Sequence, residues 1–397
     1  MTSVQDPLEM EYPKHARKIT DKAIAELKGL IGREVRIPVE DWRIEDSRFD
    51  VGDVKVLCRA IGDFNPLFFD PEYAKQTKYG RQVVPPSITA EMLQIDPGRE
   101  VLRGARPILR AATLEWQIPM LEGDTILGKT YVRKVEEVAV PSGNGRVVRQ
   151  EYETTVTKHR GEMVGAAKHT FECYERGSTA EAALFADRQP AMYNREEIEA
   201  IHQEYRGEEE AKVILGAQPR KWEEVTVGAR IRHILKGPTT AGAAPYRSKR
   251  VNSPFGLGYS GGIERWYDGL RDVWELPEKW PELFLLNEHG VPEPVEGVEW
   301  QHVRSMRFLK LPVMEINSER IHWTAQLITN WMGDDGFLKK LDLKFPKINI
   351  LGDITRCYGK VTGKRVQDGK RLVGIEVWNI NQVGDTVTTG TAEVILP

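Results

Sequence analysis

A short polar turn within residues 60–74 carries side chains whose types and spacing could do chemistry. Asp63 and Asn65 are separated by one residue, and Pro66 follows them and stops the preceding helix. A carboxylate and an amide at this spacing could hold a water molecule or a polar group of a substrate. They could equally cap and turn a helix end, as Asp and Asn side chains often do. The residues alone leave both interpretations open.

The segment 62–68 reads Gly-Asp-Phe-Asn-Pro-Leu-Phe. It resembles the hydratase motif of the MaoC-like, (R)-specific enoyl-CoA hydratases, which runs Gly-Asp-x-Asn-Pro-Leu-His and uses the Asp and the His as a water-activating pair. Phe68 stands at the position of the histidine, and its side chain cannot move a proton. The resemblance therefore implies the fold more specifically than the chemistry.

Three further segments extend this resemblance along the chain. Residues 83–87 read Val-Val-Pro-Pro-Ser, residues 115–124 run from Glu-Trp to Gly-Asp, and residues 381–385 read Asn-Gln-Val-Gly-Asp. Together with the turn they resemble the two-domain MaoC-like acyl dehydratases, whose N-terminal domain is of the kind found in fatty acid synthases. The resemblance covers roughly residues 20–397.

Two helices are predicted before the turn. Thr20 can cap a first helix that Gly32 ends, and Asp50 can cap a second helix that Gly62 ends immediately before the turn. Their apolar residues repeat at helical spacing. These stripes are Ile24, Leu27 and Ile31 in the first helix and Val51, Val54, Cys58 and Ile61 in the second.

A long stretch of strand pattern follows the helices. Alternating apolar residues predict strands at 111–119, 125–140, 146–158 and 163–174, joined by turns that contain glycine. Helices followed by an antiparallel meander indicate the α+β class. The family resemblance implies the hotdog fold, in which an antiparallel sheet wraps around one long buried helix.

The second half of the chain repeats the first in outline. Gly352 follows Gly123 at an offset of 229 (352 − 123), and Gly384 follows Gly161 at an offset of 223 (384 − 161), each within a turn between predicted strands. Two tandem copies of one domain explain these offsets. We therefore predict a tandem, or double, hotdog architecture.

Charge and composition place the domain boundaries. We predict an N-terminal hotdog domain at 20–185, of the kind found in fatty acid synthase dehydratases, and a linker at 186–220. A C-terminal MaoC-like domain at 221–397 follows, with an insertion at 255–297. Within the linker, the charge-rich segment 193–213 predicts a solvated helix without a function of its own.

The repeat offset points to a second candidate position for an acid or base. Adding 231 to the number of Phe68 gives Glu299. This carboxylate could act as base, acid or both, because desolvation beside Trp300 would raise its pKa into a useful range. His302, three residues on, could partner Glu299 or replace it. Glu299 could equally be a surface residue of a loop that the insertion distorts.

Another histidine lies on a predicted helix of the second half. His322 borders an apolar stripe, where a hydrogen-bonded structural histidine is more common than a catalytic one. Asp334 and Asp335 follow the helix and are interpreted as capping or turn residues. The stripe consists of Ile321, Ala325, Ile328 and Met332.

Glycines and tryptophans are concentrated in and after the insertion. The cluster 256–262 lacks the Lys-Ser/Thr and the strand-to-helix context of a phosphate-binding loop, so a flexible lid or a group of turns is expected. Six of the ten tryptophans fall between residues 266 and 331. They could pack a core, or they could line an aromatic-walled pocket for a bulky acyl group.

Composition excludes several classes of function. The chain has 397 residues and a net charge of −3, which gives no global bias toward nucleic acid or a membrane surface. Cys58, Cys173 and Cys357 are widely separated, so neither a disulfide framework nor a zinc site is indicated. The sequence has no leader pattern and no apolar run near the ~20 residues of a membrane span. We expect a cytoplasmic protein without a metal.

The resemblance implies a lyase that acts on acyl thioesters, in fatty acid, aromatic or steroid catabolism. We predict hydration of an enoyl thioester, or dehydration of a 3-hydroxyacyl thioester, with Glu299 as the principal acid/base and Asp63 with Asn65 as a secondary cluster. CoA or phosphopantetheine would belong to the acyl-CoA or acyl-carrier substrate, and no separate cofactor is expected. A homodimer or a paired hotdog assembly is expected. The alternatives are a hotdog thioesterase that uses a carboxylate and a non-catalytic acyl-binding subunit of a hydratase complex.

Overall fold

The computed structural model describes most of both halves of the chain and short pieces between them. Glu299, His302 and the glycine cluster 256–262 lie outside the described residues. The described residues are 18–35, 47–48, 51–92, 101–102, 105–140, 144–210, 212–239, 284–286, 292–294, 305–306, 311–315 and 318–397.

The helices include both of those predicted before the turn. Thr20 caps the first of them and accepts a hydrogen bond from the N–H of Ala23 at 3.1 Å. This helix ends at Lys28 rather than at Ile31, because Ile31 and Gly32 already pair with a strand. The described helices are α1 (Asp21–Lys28), α2 (Val51–Ile61), α3 (Pro66–Phe69), α4 (Pro71–Lys75), α5 (Thr89–Met92), α6 (Thr179–Ala183), α7 (Arg195–Glu210) and α8 (Glu319–Met332).

The strands lie close to the predicted ranges, except that the strand predicted at 111–119 begins five residues earlier, at Arg106. It begins at Arg106 because that guanidinium is buried against Glu181, so a charged residue takes an inward strand position. The strands are β1 (Glu34–Val35), β2 (Ser47–Arg48), β3 (Arg106–Trp116), β4 (Thr125–Val138), β5 (Val147–Lys158), β6 (Met163–Tyr174), β7 (Arg230–Lys236), β8 (Phe284–Leu286), β9 (Pro292–Pro294), β10 (Phe337–Lys344), β11 (Thr355–Gln367), β12 (Lys370–Asn381) and β13 (Thr386–Ile395).

One large antiparallel sheet contains the strands of both halves. Its order is β1-β4-β5-β6-β3-β10-β13-β12-β11-β7, with β2 paired to β4, while β8 and β9 form a separate pair. Counted inward from the two ends of the sheet, the strands correspond in pairs: β1 with β7, β4 with β11, β5 with β12, β6 with β13 and β3 with β10. The sheet is therefore two copies of one unit joined at their middle strands, which confirms the tandem double hotdog.

The junction of the two copies is the pairing of β3 with β10. Five residue pairs are in register, from Lys340 opposite Glu115 to Lys344 opposite Ala111. The Lys340 ammonium also forms an ion pair with Glu115 at 2.7 Å. Backbone hydrogen bonds thus make the two halves one continuous sheet.

A glycine occupies equivalent places beside this junction in each half. A Cβ atom at Gly165 would lie 2.0 Å from the carbonyl oxygen of Glu115, and one at Gly390 would lie 2.0 Å from that of Asp342. The offset between the two glycines is 225 (390 − 165), close to the offsets of the predicted turns. Close backbone approach therefore requires glycine at both places, as expected for repeated units.

α8 is the long helix around which the second half of the sheet wraps. It contacts all five strands of that half, β7 and β10–β13, and nearly all of its side chains are buried. Its first residue, Glu319, follows Thr89, the first residue of α5, at an offset of 230 (319 − 89). α5 thus begins where the equivalent helix of the first half is expected. One face of α8 turns away from its own sheet and meets the first half of the chain.

Candidate active site

The polar turn after α2 holds two buried side chains. Asp63 Oδ1 accepts a hydrogen bond from the N–H of Asn65 at 3.0 Å, and Asn65 Oδ1 accepts one from the N–H of Leu67 at 3.1 Å. Asn65 also caps α3, and Pro66 occupies the first helical position. Both polar side chains are only 2% exposed. The capping interpretation is therefore confirmed, and it fixes the Asp63 carboxylate inside the protein.

Phe68 belongs to the hydrophobic core of the first half. Its side chain is buried with Val54, Leu57 and other apolar residues that pack α2 against the strands. Its carbonyl oxygen accepts a hydrogen bond from the side-chain amide of Gln82. The position that carries the histidine of the hydratase motif is thus a packing position in this chain.

A polar face of α8 lies against the turn. Gln326 Nε2 donates to the carbonyl oxygen of Gly62 at 3.0 Å, and Asn65 Nδ2 donates to Asn330 Oδ1 at 3.4 Å. His322, one helical turn before Gln326, is fully buried, and its Nδ1 shares a hydrogen bond of 2.9 Å with Ser87 Oγ. Three side chains of the second half therefore contact the segment around the motif in the first half.

A buried lysine of the second half reaches the same turn. Lys236, the last residue of β7, donates from Nζ to the carbonyl oxygens of Ile61 at 3.1 Å and Gly62 at 2.9 Å. These carbonyls end α2, where a helix has unsatisfied acceptors and a partial negative charge. Lys236 thus caps the helix that carries the turn.

Burial raises the pKa of Asp63 from 3.8 to about 6. The N–H of Asn65 and the positive charges of Lys236 and His322 oppose this rise. Burial also lowers the pKa of Lys236, while nearby acidic groups, with Asp63 first among them, oppose that change. A carboxyl group with a pKa near 6 can both take and give a proton close to neutral pH.

A cavity of about 740 Å³ adjoins the turn. Gly62 and Phe64, on either side of Asp63, line it, as do Lys236 and the face of α8 that includes Trp323 and Gln326. This size is in the range of pockets that enclose small organic ligands. Apolar walls with a few converging polar groups could hold an acyl chain beside Asp63.

The linker helix α7 forms part of the cavity wall. Tyr205 and Glu208 line the cavity, and the Tyr205 hydroxyl donates to the carbonyl oxygen of Gly237 at 2.7 Å. Burial raises the pKa of Glu208 to about 7. Glu204 forms an ion pair with Arg356 at 2.6 Å and shares a hydrogen bond of 3.0 Å with His233. α7 is largely exposed, as predicted for a solvated helix, and one of its faces packs on β7 and β11.

The structure brings together only part of the predicted site. Asp63 and Asn65 lie close together in the buried turn whose residues Gly62 and Phe64 line the cavity. Glu299 and His302 stay predictions outside the described residues. His322 is hydrogen-bonded, as predicted, but its contact is with the first half. Asp334 accepts a hydrogen bond from Tyr73 Oη at 2.6 Å and follows Gly333, the C-cap residue of α8.

Sequence reasoning missed Lys236, Gln326 and Asn330. One signal for the latter two was present, because His322, Gln326 and Asn330 recur at every fourth position and form a polar stripe on an otherwise apolar helix. No comparable pattern marks Lys236. Its partners are carbonyl groups 174 and 175 residues away in the sequence.

Replacing Lys236 by Met is expected to raise the pKa of Asp63 above about 6, because the ammonium group favours the ionised carboxylate. The titration can be followed by ¹³C NMR of carboxyl-labelled aspartate, with the Asp63 signal assigned by its loss in Asp63→Asn. Lys344→Met, at an exposed end of β10, is the matched control. An unchanged Asp63 titration in Lys236→Met would show that the ammonium does not act on this carboxylate.

The described part of the chain has no helix that is both long and apolar enough to cross a membrane. Within the same residues, no group of three or more His, Cys, Asp or Glu side chains is arranged to hold a metal ion.

Comparison with known proteins matches the first half to a family. Residues 42–167 match the model described as the FAS1-like, dehydratase domain region. A stretch of 91 residues is 28% identical to the (R)-specific enoyl-CoA hydratase of Aeromonas caviae, covering 23% of this chain and 67% of that protein. The segment 42–167 includes the turn that holds Asp63 and Asn65.

Solved structures resemble the chain over nearly its whole length. A MaoC-like dehydratase superposes with a TM-score of 0.60 at 14% identity, covering 94% of this chain and 100% of its own. A double-hotdog protein of Mycobacterium tuberculosis superposes with a TM-score of 0.56 at 10% identity, covering 93% and 97%. The chain is therefore a double hotdog protein that shares its fold with the MaoC-like dehydratases, and its residues 42–167 match the FAS1-like dehydratase region.

Proposed function

We propose that this protein is a hydro-lyase that hydrates the double bond of an enoyl thioester, or dehydrates a 3-hydroxyacyl thioester in reverse. One observation carries the proposal. Asp63, the carboxylate of the hydratase motif, is buried between Gly62 and Phe64, which line a cavity, and burial raises its pKa to about 6. Hydration requires a group that takes a proton from water near neutral pH, and such a carboxylate can do so.

The surrounding contacts support a proton-transfer role for Asp63. Its Oδ1 is oriented by the N–H of Asn65, and the backbone before it is held by Lys236 and Gln326 through the Gly62 carbonyl. A carboxylate fixed in this way does not need to reorient when it accepts a proton. Similarity of 91 residues to an (R)-specific enoyl-CoA hydratase supports the same reaction class.

The cavity supports an acyl thioester as the substrate class. Its volume of about 740 Å³ leaves room for a bulky or ring-containing acyl group, and Trp323 forms part of its wall. The thiol would be CoA or the phosphopantetheine arm of a carrier protein. Glu299 and His302 remain candidates for an additional acid or base, to be tested by Glu299→Gln and His302→Gln.

A panel of trans-2-enoyl thioesters tests the proposed function. The purified full-length chain is expected to consume the enoyl thioester and to form a 3-hydroxyacyl thioester, detected by loss of the conjugated absorbance and by chiral chromatography. The panel includes short, long and aromatic acyl groups on CoA and on a carrier protein. Folded protein that hydrates none of them would overturn the proposal, and release of free thiol without hydration would identify a thioesterase instead.

The rate of hydration is expected to fall as the pH is lowered through about 6. Asp63 accepts a proton only when ionised, and its pKa of about 6 sets the pH at which half of the free enzyme is competent. The pH dependence of kcat/KM for a hydrated thioester measures this value. An acidic limb near pH 4, the ordinary range of a carboxylate, would show that another group takes the proton.

A further inference from the structure

We propose that the Lys236 ammonium binds the thioester carbonyl oxygen of the substrate and stabilises the negative charge that forms on this oxygen during hydration. This role rests on the proposed function and adds to it a catalytic residue outside the hydratase motif. Lys236 is the last residue of β7, in the second half of the chain, whereas Asp63 belongs to the first half. The reaction centre therefore takes one ionisable group from each half.

Contacts place the ammonium group at the wall of the cavity. Lys236 lines the cavity, as do Ile61 and Gly62, whose carbonyl oxygens accept its hydrogen bonds at 3.1 Å and 2.9 Å. A Cβ atom at Gly62 would lie 3.3 Å from Nζ, so the ammonium group packs directly against this glycine. Because Lys236 is only 7% exposed, its charge is shielded from bulk water.

One N–H of this ammonium group remains for a ligand. A lysine ammonium has three donors, and the carbonyl groups of Ile61 and Gly62 take two of them. Within the described ranges of the chain, no further acceptor lies within hydrogen-bond distance of Nζ. The third N–H is therefore available to an oxygen atom of a ligand in the cavity.

The surrounding charges favour a neutral oxygen atom as the ligand group. The ionisable groups that face Lys236 are Asp63 in the turn, Cys357 on β11, Glu208 on α7 and Glu319 on α8. They oppose the lowering of the Lys236 pKa that burial causes, so they help to keep the ammonium group charged. A permanently anionic ligand would add a like charge to this acidic set, whereas a carbonyl group would not.

The same glycine connects Lys236 to the candidate base. The Gly62 carbonyl oxygen accepts from Lys236 Nζ at 2.9 Å and from Gln326 Nε2 at 3.0 Å, and Asp63 is the next residue. In an enoyl thioester, the carbonyl carbon is bonded to Cα, which is bonded to Cβ. A substrate whose Cβ faces a water molecule held by Asp63 therefore carries its carbonyl oxygen close to the ammonium group.

Lys236 acts on the charge that moves during the reaction. Asp63 takes one proton from water while the water oxygen forms a bond to Cβ, and the π electrons move onto the carbonyl oxygen. The electrons then return to form the Cα–H bond with the proton that Asp63 releases, so H and OH are added across the double bond. The Lys236 ammonium keeps its protons throughout. Its hydrogen bond strengthens as negative charge develops, in a cavity where charges interact more strongly than in water.

An aromatic enoyl thioester measures this contact without turnover. The absorbance of a cinnamoyl thioester shifts to longer wavelength when a cation polarises its carbonyl group, and Asp63→Asn serves as the background in which the bound thioester is not consumed. We expect a red shift when Asp63→Asn is saturated with cinnamoyl-CoA, and most of this shift should be lost when Lys236→Met is added. Lys344→Met, at an exposed end of β10, is the matched control and should keep the full shift.

Kinetics separate this role from that of a helix cap. Lys236→Met should lower kcat for a hydrated thioester by roughly 100–1,000-fold with little change in KM, because the hydrogen bond strengthens mainly in the transition state. Each variant is measured above its own acidic limb, since loss of the ammonium also raises the pKa of Asp63. Lys236→Gln keeps a neutral donor for the carbonyl groups that end α2. It should still lose most of the red shift, and it carries the test if Lys236→Met does not fold.

The outcomes distinguish this inference from the proposed function. If the wild type hydrates enoyl thioesters but Lys236→Met keeps more than about a tenth of kcat, or no red shift appears with the lysine present, the carbonyl contact is wrong and the proposed function stands. If the wild type hydrates none of the panel but the red shift depends on Lys236, the contact stands and the proposed function is overturned. Neither hydration nor a red shift would overturn both.

Discussion

Replacing Asp63 by Asn is expected to remove hydratase activity and to stabilise the fold at the same time. Loss of a positioned acid or base lowers kcat by about 10²–10⁴-fold. The amide oxygen of Asn can still accept the hydrogen bond from the N–H of Asn65, so the turn should keep its shape. Steady-state kinetics and chemical denaturation of the same preparations measure the two effects.

The gain in stability follows from the raised pKa of Asp63. Its value is 3.8 when unfolded and about 6 when folded, so the folded state favours the protonated form. Stability from this group is complete below about pH 4 and is lost as the pH rises through about 6. A shift of about two units corresponds to about 3 kcal/mol, an upper limit for the gain in Asp63→Asn at pH 8.

A control and a pH series make this result decisive. Asp342→Asn, on an exposed position of β10, should change neither activity nor stability appreciably. The gain in the unfolding free energy of Asp63→Asn should shrink as the pH is lowered from 6 toward 4. A variant that is equally destabilised at pH 5 and pH 8 would contradict the burial of an ionised carboxylate at this position.

Replacing Arg188 by Ala is expected to destabilise the protein by about 3–5 kcal/mol, because it leaves a buried carboxylate without its counter-charge. Arg188 follows the first half of the chain and forms ion pairs with Asp353 and, at 3.5 Å, with Asp385. Asp353 is fully buried and otherwise accepts only neutral donors among the described residues, the N–H of Ile350 and the amide of Gln382. Urea denaturation at pH 7 measures the loss.

An exposed ion pair in the same half provides the comparison. Arg365 and Glu393 are 2.6 Å apart on the surface, and Arg365→Ala should cost no more than about 1 kcal/mol. Removing both charges of the buried pair, by Arg188→Met with Asp353→Asn, should recover much of the loss. If Arg188→Ala lowers the unfolding free energy as little as Arg365→Ala does, the ion pairs of Arg188 with Asp353 and Asp385 do not stabilise the fold.

The strands and turns of the fold could be predicted because their causes are local. Strand β5 was expected at 146–158 and runs from Val147 to Lys158, since burial of one face imposes an alternation of apolar residues. Turns at Gly161 and Gly352 were predicted from glycine, and both residues have positive φ. The predicted start of β3 was wrong for a tertiary reason, because Arg106 is buried there against Glu181.

The candidate site could be predicted only in its first half. Asp63 and Asn65 belong to one continuous motif, so sequence alone brings them together. His322 and Ser87 are 235 residues apart, and their contact depends on how α8 meets the turn of the other half. The same holds for Lys236, because its partners are backbone carbonyl groups. Every residue has such a group, so these partners leave no pattern in the sequence.

The pairing of β3 with β10 means that the two repeats cannot be treated as independent modules. Cutting the chain within the linker would leave each of these strands as a bare edge with unpaired N–H and C=O groups. Such edges recruit other chains, so separately expressed halves would tend to self-associate or aggregate. Truncation studies of either repeat would thus report on this exposed edge as much as on the function of the repeat.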